Sequence, residues 1–153
     1  YLIRDWDPAK PACGTVFVQG SSASNNLVGL MDRLDAEDLN VRIVAVISED
    51  LFNLQAAAYR QSILPDSQRF YCMVVTTMTK RVMPLANLGP LTEEYTLASD
   101  HDDRWRTGGL EPDVIAEAKL DPESIYQGVK RFVDERESRL GRQREALTAL
   151  GAV

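Results

Sequence analysis

The sequence predicts an α/β three-layer sandwich with a mostly parallel sheet. Two observations carry that prediction. GTVFVQG (14–20), VRIVAVIS (41–48) and RFYCMVVTT (69–77) are near-continuous Val/Ile/Phe runs, the composition of strands covered on both faces. Between these runs the apolar residues recur at helical spacing, so strands and helices alternate as in βαβ units.

The elements follow in order. YLIRDW at the start is an edge strand flanked by charge, and 14–20 is the first buried strand. Leu27, Leu30, Met31 and Leu34 then mark a helix that Ser24 or Asn25 can cap. After the 41–48 strand, Ser48 opens a second helix with Glu49 and Asp50 in its first turn, where acids are favoured. That helix is expected to run through LFNLQAAAYRQSI and to stop near Leu64-Pro65. The 69–77 strand follows, then a helix within TKRVMPLANL with Pro84 at its start or at a kink.

YTLAS (95–99) is a short strand, DHDDRWRTGG a polar loop and EPDVIAEAKL a short helix. Asp121-Pro122-Glu123 starts a long terminal helix by the N-cap and N1-proline rule, with Ile125, Val129, Phe132 and Val133 as its buried stripe. Past residue 134 the stripe fails, and ERESRLGRQRE is charged nearly all round. The expected division is an α/β domain over 1–133 and a charged helical extension over 134–153, solvated, frayed or packed on something outside this chain.

With 153 residues, 44% of them hydrophobic, the chain is long enough for one domain with a real core. A net charge of −6 and a pI near 4.8 exclude a general attraction to nucleic acid or anionic membrane. Residues 121–153 carry six Lys/Arg and six Asp/Glu, so the whole deficit sits in 1–120. Cys13 and Cys72 lie far apart and read as reduced core or near-core thiols of an intracellular, cytoplasmic protein. The apolar runs are shorter than a membrane span needs, and no signal peptide is visible. The chain enters strand-like sequence at Tyr1, as a piece cut from something longer would.

Candidate chemistry centres on VQGSSASNN (18–26). A Walker-type phosphate loop needs a lysine after its glycines, a dinucleotide fingerprint needs three spaced glycines, and a nucleophile elbow needs G-x-S-x-G. Each requirement fails here. The stretch reads as a βα turn with a serine cap, or as a place where Ser21, Ser22, Ser24 and nearby amides bind an anion weakly. His101 stands between Asp100 and Asp102, but no second His or nearby Cys completes a metal set. A solvated acidic loop paired with Arg104 and Arg106 describes it better. Arg104, Trp105 and Arg106 are also interface candidates, Trp and Arg being common anchors. Glu93-Glu94 reads as a solvated pair. Arg131, Arg136, Arg139, Arg142 and Arg144 are interleaved with acids and read as a neutral, salt-bridged helix face. No catalytic, cofactor-binding or metal residue is nominated.

The run GSSASNNLVGLMDRLDAEDLNVRIVAVISEDLFNLQAAAYRQSILP resembles the start of the transketolase C-terminal domain. The phrase consists of Gly20 and Ser21, the strand Val41 to Ser48, Phe52 and Gln55, Tyr59 and Arg60, Ser62, Leu64 and Pro65, in the family's order and spacing. YLIRDW resembles the family's antiparallel edge strand, and LDPESIYQGVKRF its last helix. The resemblance covers 1–133 and is strongest over 14–65. Ser22 replaces the family's usual Glu. VVTTMTKR and DDRWRTGG stand where relatives have an acidic glycine-bearing segment and a Phe-Gly-x-Ser motif.

The resemblance implies an αβα sandwich with a five-stranded mixed sheet whose first strand is antiparallel. It implies a parent enzyme that uses thiamine diphosphate and Mg, held by upstream domains of the same enzyme, to move two-carbon ketol units between sugar phosphates. The parent is expected to be a homodimer of the pentose phosphate pathway. This domain would carry no cofactor contact and would serve assembly or regulation. The homodimeric-type pyruvate dehydrogenase component has a related C-terminal domain and is the competing parent. A non-enzymatic anion-binding or interaction module is the alternative of another class.

Overall fold

Residues 1–80, 91–104, 106 and 108–151 are described by a computed structural model. The helix expected within TKRVMPLANL falls largely outside these residues, as does Trp105.

The predicted sandwich is observed. Its five strands, β1 (Leu2–Arg4), β2 (Thr15–Gln19), β3 (Arg42–Ala45), β4 (Cys72–Thr76) and β5 (Leu97–Ala98), form one sheet in the order β1-β3-β2-β4-β5. Only β1 is antiparallel, with Leu2 opposite Val44; β2 is central, with Thr15 opposite both Arg42 and Cys72. Alternation along the strands builds two cores. Val16, Val18, Ile43, Met73 and Val75 face the larger one, closed by Leu27, Leu34, Ile125, Val129 and Phe132. Phe17, Val44, Cys72 and Val74 face the smaller one, closed by Ile63 and Leu64, with Val46 and Phe52 partly buried. Both faces being buried explains the unbroken apolar runs.

The helices depart from expectation in instructive ways. The first is two segments, α1 (Ser21–Val28) and α2 (Met31–Ala36). Gly29 and Leu30 divide them, and the Leu30 amide turns back to Leu27 O at 3.1 Å instead of continuing the α-helical ladder. Neither Ser24 nor Asn25 caps α1: the helix starts directly after β2, its N-cap is Gly20, and no side chain caps it. Gly20, at φ 95 and ψ 144, makes that immediate turn.

The single helix expected from Ser48 to Leu64 is also divided, into α3 (Glu49–Asn53) and α4 (Ala57–Ile63). Ser48 does cap α3, accepting from the Leu51 amide at 3.2 Å. Ala56 is extended, which lets Phe52 and Ile63 reach the same small core from separate segments. A 3-10 turn, Asp66–Arg69, leads into β4. YTLAS is mostly not strand: Tyr95 ends a short helix, α5 (Thr92–Tyr95), and only Leu97 and Ala98 pair with β4.

The helix expected at 111–120 is α6 (Glu111–Glu117). Helix α7 (Pro122–Asp134) starts as predicted, with Asp121 accepting from the Ser124 amide at 3.0 Å. It and the Leu120 turn before it are tied to α1 and to α2 with its C-cap by Asn26 Nδ2 donating to Leu120 O (2.8 Å), by the Arg33–Glu123 pair (2.6 Å) and by a short Tyr126–Glu37 hydrogen bond. Beyond a break at Glu135 comes α8 (Arg136–Ala149), whose first half is no solvated tail. Arg139 is buried among Tyr71, Tyr95 and Phe132, and Gln143 donates to Phe70 O at 2.8 Å. From Arg144 to Gly151 every residue is exposed.

Cys72 is buried and Cys13 half-buried; they are not bridged. Among the described residues no helix is long and apolar enough to cross a membrane.

Candidate functional site

The carboxyl ends of parallel strands are where open α/β sheets place ligands, above all where successive crossovers leave on opposite faces. Here that point lies between β2 and β4. Its crevice is closed by the chain's own groups. Thr76 Oγ1 donates to Gln19 Oε1 at 3.3 Å, the Met78 amide donates to Thr76 Oγ1 at 3.0 Å, and Thr77 stands against Gly20.

The three serines singled out in the sequence lie on the first turn of α1. Ser21 is exposed, and Ser22 and Ser24 are half-buried. The Ser24 amide is already bonded to Gly20 O at 2.9 Å. No side chain caps the first amides of α1.

The loop after β5 lies along the same edge. The Lys80 amide donates to Asp100 Oδ1 at 2.9 Å. Arg106 is turned inward: it donates to Asp102 at 3.1 Å, to Glu117 O at 2.8 Å and, by a short bond, to Ser99 O. It thereby ties the loop to α6. Arg104 stays exposed and pairs with Asp102 at 2.7 Å. Hydrogen bonds from Arg104, then Arg106, hold the Asp102 carboxyl well below the usual carboxylate range against opposing desolvation. Burial lowers the His101 pKa; Asp102 acts in the opposite sense, and Arg106, 3.4 Å from Nδ1, lowers it further. Among the described residues no group of three or more His, Cys, Asp or Glu is placed to hold a metal ion.

Of the five arginines on α7 and α8, three (Arg131, Arg136 and Arg142) form salt bridges. Arg131 pairs with Glu135 at 3.0 Å, and Arg142 with Glu94 at 2.9 Å. Arg139 is buried instead.

Sequence reasoning missed an apolar groove of about 470 Å³ on the smaller-core side. Phe17, Val44, Ile63 and Leu64 floor it, Ile47, Leu51, Phe52 and Tyr59 wall it, and Tyr1 closes one end. Of its lining, Ile47 is 68% and Leu51 61% exposed; Leu54, outside the lining, is 80% exposed. Its polar neighbours are used internally. Ser48 caps α3, Gln55 Nε2 bonds Leu51 O at 3.0 Å, and the Tyr1 amine bonds Ala45 O at 2.8 Å. The groove therefore offers apolar contact rather than reactive groups. A signal did exist, since Ile47, Leu51 and Leu54 are apolar beside an acidic helix start, but a helix presumed straight places them in a core. Phe52, Gln55, Tyr59 and Leu64, part of the phrase that carries the resemblance, line this groove.

No protein-family profile matches the chain. No curated protein matches it in sequence. Solved structures do match in fold. A transketolase from Pichia stipitis in complex with sedoheptulose 7-phosphate superposes on 90% of this chain with a TM-score of 0.64 at 16% identity. A mutant of the Pichia stipitis enzyme in complex with xylulose 5-phosphate gives the same values. The transketolase from Leishmania mexicana covers 86% of the chain with a TM-score of 0.51 at 20% identity. In each case this chain spans 18% of the matched one. At these identities the likeness establishes a shared fold: the sheet order, the antiparallel first strand and the flanking helices are those of a transketolase-like domain.

Proposed function

We propose that the chain is the C-terminal domain of a transketolase-like enzyme, one that transfers two-carbon ketol units between sugar phosphates using thiamine diphosphate and Mg. The observation that carries this reading is the fold match to transketolases over nine-tenths of this chain and less than a fifth of theirs. The collinear phrase from Gly20 to Pro65 supports it independently of the fold. In this reading the domain holds no cofactor. Thiamine diphosphate and its metal sit in upstream domains of the same polypeptide, in a cytoplasmic homodimer. This domain contributes to assembly, and its exposed groove residues Ile47 and Leu51 are suited to that role.

The test has two arms. Calorimetry of the isolated chain with thiamine diphosphate and Mg should give no heat of binding; clear micromolar binding would overturn the non-catalytic assignment. The full polypeptide containing the chain should then move a ketol unit from xylulose 5-phosphate to an aldose phosphate, strictly dependent on thiamine diphosphate. Oxidative decarboxylation of pyruvate instead would point to the dehydrogenase parent, and activity independent of thiamine diphosphate would sink the proposal.

A further inference from the structure

The apolar groove shares a wall with a second space. Phe52 and Leu64, which line the groove, also line a hollow of about 230 Å³. The two spaces differ in chemistry. Among the described residues the lining of the hollow includes Arg60 and Arg69 and no acid, whereas that of the groove includes Glu49 and no Lys or Arg.

Helix spacing produces the contrast. On α4, Tyr59 and Ile63 stand one turn apart and face the groove, whereas Ala57, Arg60 and Leu64, at i, i+3 and i+7, face the hollow. The division of the helix at Ala56 leaves Phe52, in the last turn of α3, as a wall common to both.

Arg60 is the uncommitted charge. It is half-buried, and its guanidinium meets no carboxylate among the described residues. Arg33, Arg42 and Arg142 each hold one. Arg69 pairs with Asp66 through Nε at 3.4 Å, but Asp66 stands outside the lining and is 77% exposed. The hollow is therefore positive on balance and suits an anionic group.

The groove suits something else. Its floor is nearly sealed: Phe17 is 5%, Val44 2% and Leu64 8% exposed, beneath a rim where Ile47 and Leu51 are more than half exposed. A broad partner surface resting on that rim would leave the floor unfilled, and unfilled apolar space forfeits dispersion contacts. A slender chain reaches it. The groove's volume of about 470 Å³ lies within the roughly 300–1,000 Å³ of small-molecule sites. Ser48 and Gln55 in its lining are already bonded within the fold, so an apolar chain leaves no polar group there newly unpaired. Glu49 keeps the charged end of such a chain out of the groove.

We infer that groove and hollow form one site for a free alkyl carboxylate. Its chain lies on Phe17, Val44 and Ile63, its carboxylate meets Arg60, and Phe52 and Leu64 stand between. The site is built from this chain alone and does not depend on which parent enzyme carries the domain.

Isothermal titration of the 153-residue chain with decanoate, below its micelle concentration, tests this. Saturable one-to-one binding is expected, weakened about two- to fourfold for each methylene removed on going to hexanoate. Arg60→Gln should weaken decanoate about tenfold and leave 1-decanol unchanged. Leu51→Glu, which sets a charge in the groove wall from an exposed position, should weaken both ligands. Leu110→Glu, similarly exposed at the start of α6, should change neither. Absence of saturable binding, indifference to chain length, or an equal loss for the alcohol in Arg60→Gln would overturn the site. So would decanoate binding that the full polypeptide lacks, which would make the groove a contact between domains.

Discussion

Thr77 occupies the space that a side chain on Gly20 would need: a Cβ built there would lie 2.1 Å from Thr77 Oγ1 and 2.9 Å from Thr77 Cβ. Because the contact includes a β carbon, rotating the threonine does not clear it. Gly20 also holds φ 95 with ψ 144, a conformation that L side chains rarely adopt. Gly20→Ala is therefore expected to destabilise the domain by about 2–4 kcal/mol, read from urea denaturation. Thr77→Ala in that background should relieve the Oγ1 and Cγ2 contacts but not the 2.9 Å one to the β carbon, and so restore only part of the loss. Full recovery would show that the backbone there is unstrained.

Arg42 is a buried cation that closes the end of α4. It donates to Ile63 O at 3.0 Å and Ser62 O at 2.7 Å, and its Nε lies 3.3 Å from Asp5. Arg42→Met would leave two carbonyls without a partner and is expected to cost about 2–4 kcal/mol. Arg42→Lys should recover little, because an ammonium cannot reproduce the fork that reaches both carbonyls. Equilibrium unfolding of the two variants checks the order.

Acid should act on the loop after β5. Asp102 has its folded pKa lowered, chiefly by the Arg104 hydrogen bond, so its contribution is complete above the unfolded value of about 3.9 and is lost as pH falls toward the folded one. Glu123 and Glu135 are lowered too, by hydrogen bonds from Arg33 and Arg131, and reinforce the acid limb. Melting temperature against pH should thus fall below about pH 4. Asp102→Asn should start lower at neutral pH and fall less steeply; a parallel curve would remove Asp102 from the acid response.

The cap of α7 is separable from its core stripe. Burial works against the Asp121 carboxylate, but hydrogen bonds from the Ser124 side chain and amide outweigh it and leave the pKa lowered. Asp121→Ala is expected to cost about 1 kcal/mol and Asp121→Asn a few tenths. Chemical denaturation of both would detect the difference.

The three buried strands were legible because β-branched runs suit a sheet covered on two sides, and Asp121-Pro122 announced α7 by cap chemistry alone. The breaks at Gly29 and Ala56 were not, because periodicity continues across them. They are set by what the segments must reach on the sheet: Phe52 and Ile63 meet the same small core only if the helix divides. Arg139 was invisible for a related reason. A lone arginine in ERESRLGRQRE reads as solvated until Tyr71, 68 positions earlier in the chain, is placed beneath it. VQGSSASNN does hold the βα turn, but the turn is made at Gly20 and its serines lie on the first turn of α1 without capping it; nor could the sequence show that Gln19, Thr76 and Thr77 close the crevice beside them. The groove was hidden because its apolar residues have the composition of a core.

The sheet ends bluntly on both sides. Its outer strands are the three residues Leu2–Arg4, whose pairing with β3 is irregular, and the two residues Leu97–Ala98. Such stubs offer few aligned backbone groups to a neighbouring strand. Among the described residues, then, the contact surfaces best suited to a partner are built from side chains, and surface shape rather than backbone pairing would carry recognition.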